Sequence, residues 1–149
     1  MTAGVSALLL LSHADPLSEL ELALQELSVK TSLASSCREA NRVLAAPNPP
    51  ELIFTATELP DGNWVDVLRL AERACAPVNV IVVSRLADVR FYIEVIEAGA
   101  FDYIVPPFES TGLAHVVCCA TGSVLRRRNA LAQAEQAGQP TLPLSAIQS

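Results

Sequence analysis

Along the chain, short runs of uninterrupted apolar residues alternate with longer segments whose apolar positions recur every three or four residues. The runs "SALLLL" (6–11), "VKTSLA" (29–34), "ELIFTA" (51–56), "VNVIVV" (78–83) and "FDYIV" (101–105) read as five strands. Most are apolar throughout, the pattern required of strands covered on both faces of a parallel sheet. The intervening segments predict helices at about 16–27, 36–46, 64–75 and 86–98, with a fifth from about 110. The first has a clear start, with Asp15 as N-cap and Pro16 at the first helical position, and then Leu17, Leu20, Leu24 and Leu27 along one face. Five successive strand–helix units predict the α/β class, an open, doubly wound parallel sheet with right-handed crossovers.

Composition narrows the partners. A chain of 149 residues, 51% apolar, fits one domain with a substantial core. A formal charge of −6 argues against a nucleic-acid surface, which needs clustered Lys and Arg to neutralise phosphates. Arg126, Arg127 and Arg128 form a local exception and read as a solvated helix face. Cys37, Cys75, Cys118 and Cys119 show no zinc or secreted-disulfide spacing, and are expected to be free, buried thiols of a cytoplasmic protein. The N-terminal apolar run lacks a positive leader and reads as a strand, and no stretch reaches the ~20 apolar residues of a membrane span. Neither nucleic acid nor membrane is therefore expected as a partner.

In a doubly wound sheet the chemistry gathers just beyond the carboxyl ends of the strands. The residues there are Ser12, His13, Ala14 and Asp15; Ala56, Thr57 and Glu58; Ser84 and Arg85; and Pro106 and Pro107. Few of these could act as catalysts. No G-x-G-x-x-G or Walker-type loop is present, which disfavours the common nucleotide folds.

Several of these segments together resemble the receiver domains of bacterial response regulators, over about residues 6–128. "ELIFTATELPDG" resembles the family's third strand and its D-x-x-M-P turn, "VIVVS" its fourth strand ending in Ser or Thr, and "EAGAFDYIVPPFE" its G-A-x-D-Y-hydrophobic-x-K-P-F segment. "HADP" resembles the acidic cluster after strand one. The resemblance implies a (βα)5 flavodoxin-like fold and a role in two-component signalling and phosphorelays.

It also implies a phosphorylation pocket, from which this chain departs. Where the family places the acceptor aspartate stands Ala56; where it places two Mg²⁺-binding acids stand His13 and Ala14, with Asp15 next; where it places a lysine stands Pro106. Only Ser84 matches the hydroxyl partner. Alanine has no lone pair with which to form an acyl phosphate, one carboxylate leaves Mg²⁺ short of oxygen ligands, and proline cannot offset phosphate charge. Glu58, Thr57 and Asp61 are weak substitutes, because no second carboxylate or lysine is predicted beside them. His13 has no second His or Cys predicted nearby and reads as a polar neighbour, not a metal ligand. Ser84 reads either as the N-cap of the fourth helix or as a retained switch hydroxyl, and Tyr103 either matches the family's aromatic switch position or reads as a half-buried aromatic on an outer strand, the reading favoured if nothing drives a switch. The expectation is a degenerate pseudo-receiver with no catalytic residue, cofactor or metal, hence not an enzyme. By resemblance to the family's lysine–proline bond, Pro106–Pro107 is expected to be cis.

The remaining signal is surface. In "LADVRFYIEVIEAG" helical spacing is read as turning Val89, Tyr92, Ile93 and Ile96 inward and Phe91, Val95 and Ala98 outward. In the fifth helix Leu113, Val116, Val117, Ala120 and Val124 are read as inward, leaving Ala114, His115, Cys118, Cys119 and Gly122 outside. The face of the fourth helix, fifth strand and fifth helix, with Phe91, Val95, Tyr103, His115, Cys118 and Cys119, is thus expected to dock a protein partner or a second copy, as it does in receivers. Residues 1–128 are assigned to the domain, 129–137 to a helical extension suited to a connector or output domain, and 138–149 to a flexible tail. Two alternatives compete: an atypical phosphoacceptor using a displaced carboxylate such as Glu58, and small-molecule sensing in the vacated pocket.

Overall fold

The computed structural model describes residues 4–11 and 17–137. Twelve elements follow in order: β1 (Ser6–Leu10), α1 (Leu17–Glu26), β2 (Lys30–Ala34), α2 (Cys37–Leu44), β3 (Leu52–Thr55), β4 (Glu58–Leu59), β5 (Gly62–Asn63), α3 (Trp64–Glu72), β6 (Asn79–Val83), α4 (Val89–Ala98), β7 (Asp102–Ile104) and α5 (Ser110–Ala137). Five strands form one sheet in the order β2-β1-β3-β6-β7, every pair parallel. This is the α/β, five-stranded parallel architecture expected from the sequence.

Burial follows sheet position. β3 and β6 lie inside the sheet and are buried along their whole length, whereas β2, at an edge, exposes most of its residues. Leu8, Leu9 and Leu10 of β1, Leu20 and Leu24 of α1, and Val117, Ala120 and Val124 of α5 complete the core. Fully burying a large apolar side chain is worth ~1.5–3 kcal/mol, so these inner rows dominate the stability.

A short antiparallel hairpin, β4 with β5, was not expected from the sequence. It ends in a capping box: Asn63 accepts from Val65 and Asp66 N–H groups, and Asp66 accepts from Asn63 N–H. A Cβ at Gly62 would lie 2.6 Å from Asp66 Oδ2, so any larger residue there would displace the Asp66 carboxylate from the capping box. Asp61, at the hairpin tip, accepts from the N–H groups of Cys37 (2.7 Å) and Arg38 (3.1 Å), so the hairpin caps the start of α2.

Two expectations need correction here. The arginine triplet is not simply a solvated face. Arg128 donates to the carbonyls of Pro77, Pro49 and Pro50 and pairs with Glu51 at 3.5 Å, while Arg127 donates to Asn79 Oδ1. Both tie α5 to the amino ends of β3 and β6. Nor are the thiols buried: Cys75, Cys118 and Cys119 are exposed and Cys37 half-buried, all four free. Helix α5 has 28 residues, about 42 Å at 1.5 Å per residue, and continues well past the sheet. Among the described residues no helix is long and apolar enough to cross a membrane. The tail, 138–149, lies outside the described residues.

Candidate functional site

The parallel register sets the carboxyl ends of β1, β3 and β6 level, with Thr55 beside Leu10 on one side and Val82 on the other. Ala56 follows directly. It is 3% exposed, and its N–H donates to Leu10 O at 2.8 Å, extending the ladder by one residue. Its side chain offers only a methyl group. Thr55 is buried, and its hydroxyl is spent on the carbonyl of Ala56 (3.0 Å). Ser12, His13, Ala14 and Asp15 lie outside the described residues, as does the Asp15–Pro16 helix start.

The candidate substitute acceptors follow Ala56 on the turn and hairpin beyond β3. Glu58 is exposed on β4. Thr57 contributes its carbonyl to the N–H of Trp64 at 3.3 Å. Asp61 is committed to α2, and the N–H donors of Cys37 and Arg38 hold its carboxyl below the usual carboxylate range. Burial, together with the negative charges of Asp61 and Asp66, pushes the Cys37 thiol up to about 11. This Asp61–Cys37 pairing joins residues 24 apart in sequence, which local turn chemistry does not foretell.

After β6, Ser84 donates its backbone N–H to Ile104 O (3.0 Å), and its hydroxyl closes a local turn with Leu86. It is not the helix cap. Asp88 takes that role, accepting from Phe91 N–H at 3.2 Å, so α4 begins at Val89. The Pro106–Pro107 peptide is cis, with Pro106 half-buried and Pro107 exposed.

The two faces of α4 are the reverse of the sequence expectation. Val95 is 0% exposed, and Phe91 packs half-buried against the core, its ring meeting Trp64 edge-on at 5.7 Å and Tyr103 at 5.6 Å. Val89, Tyr92 and Ile93 are exposed and Ile96 is half-buried. The helix is apolar on both sides, so spacing alone did not choose its inner face. The choice is made by Trp64 at the start of α3 and Tyr103 on β7, which sandwich Phe91 between them. Ala98 does lie outside, as expected.

An apolar surface therefore exists beside β7, made by other residues than those anticipated. Leu86 is 76% and Val89 74% exposed, with Tyr92 and Ile93 following on the same side. A cleft of about 260 Å³ runs between Ala87, Asp88, Val89, Tyr92, Tyr103 and Val105. Tyr103 forms its floor, stacked edge-on to Tyr92 at 5.9 Å, with its hydroxyl donating to Leu86 O at 2.6 Å. On α5, His115, Cys118 and Cys119 are exposed, while Leu113, Val117, Ala120 and Val124 face the core. Ala114, Val116 and Gly122 are half-buried.

A family model described as the response regulator receiver domain matches residues 12–117. The chain is 29% identical over 110 residues to the response regulator protein PilR of Pseudomonas aeruginosa, covering 74% of this chain and 24% of that protein. It is 34% identical over 92 residues to the transcriptional regulatory protein KdpE of Mycobacterium tuberculosis, covering 62% and 38%. The chain thus spans well under half the length of these curated relatives. Among solved structures, a putative response regulator from Chloroflexus aurantiacus superposes with a TM-score of 0.69 at 23% identity, over 79% of this chain and 98% of that one. The receiver domain of a sensor histidine kinase from Pseudomonas aeruginosa, solved with magnesium in its active-site cleft, gives 0.68 at 21% identity, over 80% and 99%. These two likenesses show the fold.

Proposed function

The chain belongs to the response regulator receiver domain family, and on that premise we propose that it is a pseudo-receiver, signalling through protein contact without accepting a phosphoryl group. The observation that carries this reading is Ala56: a buried methyl at the end of β3, where the family's chemistry needs a carboxylate nucleophile. Pro106, just beyond β7, supplies no cation, and Ser84 is occupied in its own turn. Glu58 is exposed, and Asp61 already serves the start of α2. The chain acts as a binding module, not an enzyme.

Its docking surface is the α4–β7–α5 side, centred on Leu86, Val89, Tyr92 and Ile93. A second copy is the occupant that fits most economically, since one self-complementary patch serves both partners of a twofold pair. The Tyr103 hydroxyl bond to Leu86 supports a preset state, because it fastens the loop before α4 through the chain's own groups.

The test is incubation with a small phosphodonor and Mg²⁺, followed by intact mass measurement. No phosphoryl adduct is expected, and calorimetry should show no saturable Mg²⁺ binding. An adduct that disappears in Glu58→Gln would establish the displaced-carboxylate mechanism and overturn the reading.

A further inference from the structure

On the exposed side of α5, Cys119 Sγ lies 3.7 Å from His115 Nε2, one helical turn away. In tetrahedral zinc sites the Zn–S bond is about 2.3 Å and the Zn–N bond about 2.0–2.1 Å, which puts the two donor atoms about 3.6 Å apart. The pair is therefore already spaced to share one ion. Both side chains are exposed, so an ion reaches them without rearrangement of the core. The donor types, an imidazole and a thiol, suit a borderline-soft cation and not Mg²⁺ or Ca²⁺.

Among the described residues of one chain no three His, Cys, Asp or Glu side chains converge to complete the shell. We propose that His115 and Cys119 are half of a Cys2His2 site for a thiophilic divalent cation such as Zn²⁺, completed by the same two residues of a second copy. A twofold axis past the outer side of α5 supplies four ligands from two, because symmetry repeats each donor once. Each thiol gives its proton to solvent as its metal–sulfur bond forms. The inference rests on the pairing surface proposed above, and makes that pairing metal-responsive.

The probe is Co²⁺, whose absorption reports both tetrahedral geometry and the number of bound sulfurs. The full chain in a thiol-free reductant should give a tetrahedral spectrum with two sulfurs per ion, one ion per two chains, and light scattering should show a metal-dependent rise in the dimer. Zn²⁺ should displace the cobalt and erase the colour. His115→Ala and Cys119→Ser should each abolish the spectrum, while Cys118→Ser and His13→Gln keep it. A band with one sulfur per ion, or one that survives Cys119→Ser, overturns the proposal. His115, Cys118 and Cys119 are exposed, and circular dichroism verifies each variant's fold. Dimerisation of the metal-free chain reports separately on the docking surface. A dimer with no cobalt site sinks the metal bridge alone, and a cobalt-bridged dimer insensitive to Ile93→Asp sinks the α4 surface alone.

Discussion

Tyr103 donates its hydroxyl to the carbonyl oxygen of Leu86 at 2.6 Å, joining β7 to the loop that leads into α4. The ring beneath that bond is gripped edge-on by Phe91 from inside and Tyr92 from outside, so one aromatic links the core to the proposed docking cleft. Tyr103→Phe keeps the ring contacts and removes only the hydrogen bond. It should lower stability by about 1 kcal/mol, read from urea unfolding, and loosen pairing by freeing Leu86. Unchanged pairing would show that the loop is held by other contacts.

The sheet was legible because its inner strands, "LIFT" and "NVIVV", are largely apolar, are buried along their entire length and alternate with helical segments, the pattern of a parallel sheet covered on both faces. Helix α4 was legible as an element but not in orientation. Its apolar residues ring the helix, and the decision lies with Trp64 and Tyr103, which reach it from α3 and β7. The β4–β5 hairpin was missed because strands of two residues carry no periodicity. The roles of Asp61 and Arg128 depend on partners 23 to 79 residues away, beyond the range of any local pattern. The place of Ala56 directly after β3, in contrast, could be read from the sequence, since it needs only the end of one strand.

The reversed faces of α4 change which substitutions separate folding from docking. Val95→Asp places a charge where no water reaches and should cost about 4 kcal/mol or more, enough to unfold much of the protein. Ile93→Asp, two residues away on the exposed side, should leave stability within about 0.5 kcal/mol and weaken pairing. Thermal melting and light scattering on the two variants decide the matter. Equal destabilisation would mean that Ile93 packs inward.

Asp61 has a folded-state pKa below its unfolded one, because Cys37 and Arg38 donate N–H groups to the charged form. A depressed carboxylate contributes stability above its unfolded pKa, and that contribution is lost as pH falls through the folded value. Wild type should therefore exceed Asp61→Asn in stability at pH 7, with the gap closing below about pH 4. Chemical denaturation at several pH values measures it. A gap independent of pH would assign the effect to shape and not to charge.

Cys37 shifts the other way, to about 11, through burial first and the Asp61 charge second. At pH 8 to 9 it should alkylate more slowly than the exposed Cys75, Cys118 and Cys119, since the thiolate is the reactive form. Asp61→Asn should speed Cys37 selectively. Peptide mapping after timed iodoacetamide treatment reads this out, and equal rates at all four cysteines would contradict it.

Arg128 closes the opposite end of the sheet. Its guanidinium donates to the carbonyls of Pro77 (2.9 Å), Pro50 (3.1 Å) and Pro49 (3.2 Å), and it also pairs with Glu51, whose Oε1 in turn accepts from Ser6 N–H at 2.7 Å. One side chain thus fastens α5 to the segments that enter β3 and β6, with β1 joined through Glu51. Arg128→Ala should cost about 2 kcal/mol, the scale of hydrogen bonds made by a charged donor. Arg128→Lys should recover only part of that, because an ammonium cannot fork toward three carbonyls as a planar guanidinium does. Arg126→Ala, on the exposed side of the same turn, should change stability by less than about 0.5 kcal/mol. Most of the Arg128 effect should persist at high salt, because its main acceptors are neutral and only the Glu51 pairing is subject to screening. Urea denaturation of the three variants at low and high ionic strength tests this ordering. If Arg128→Ala behaves like Arg126→Ala, the helix is anchored by its apolar row alone.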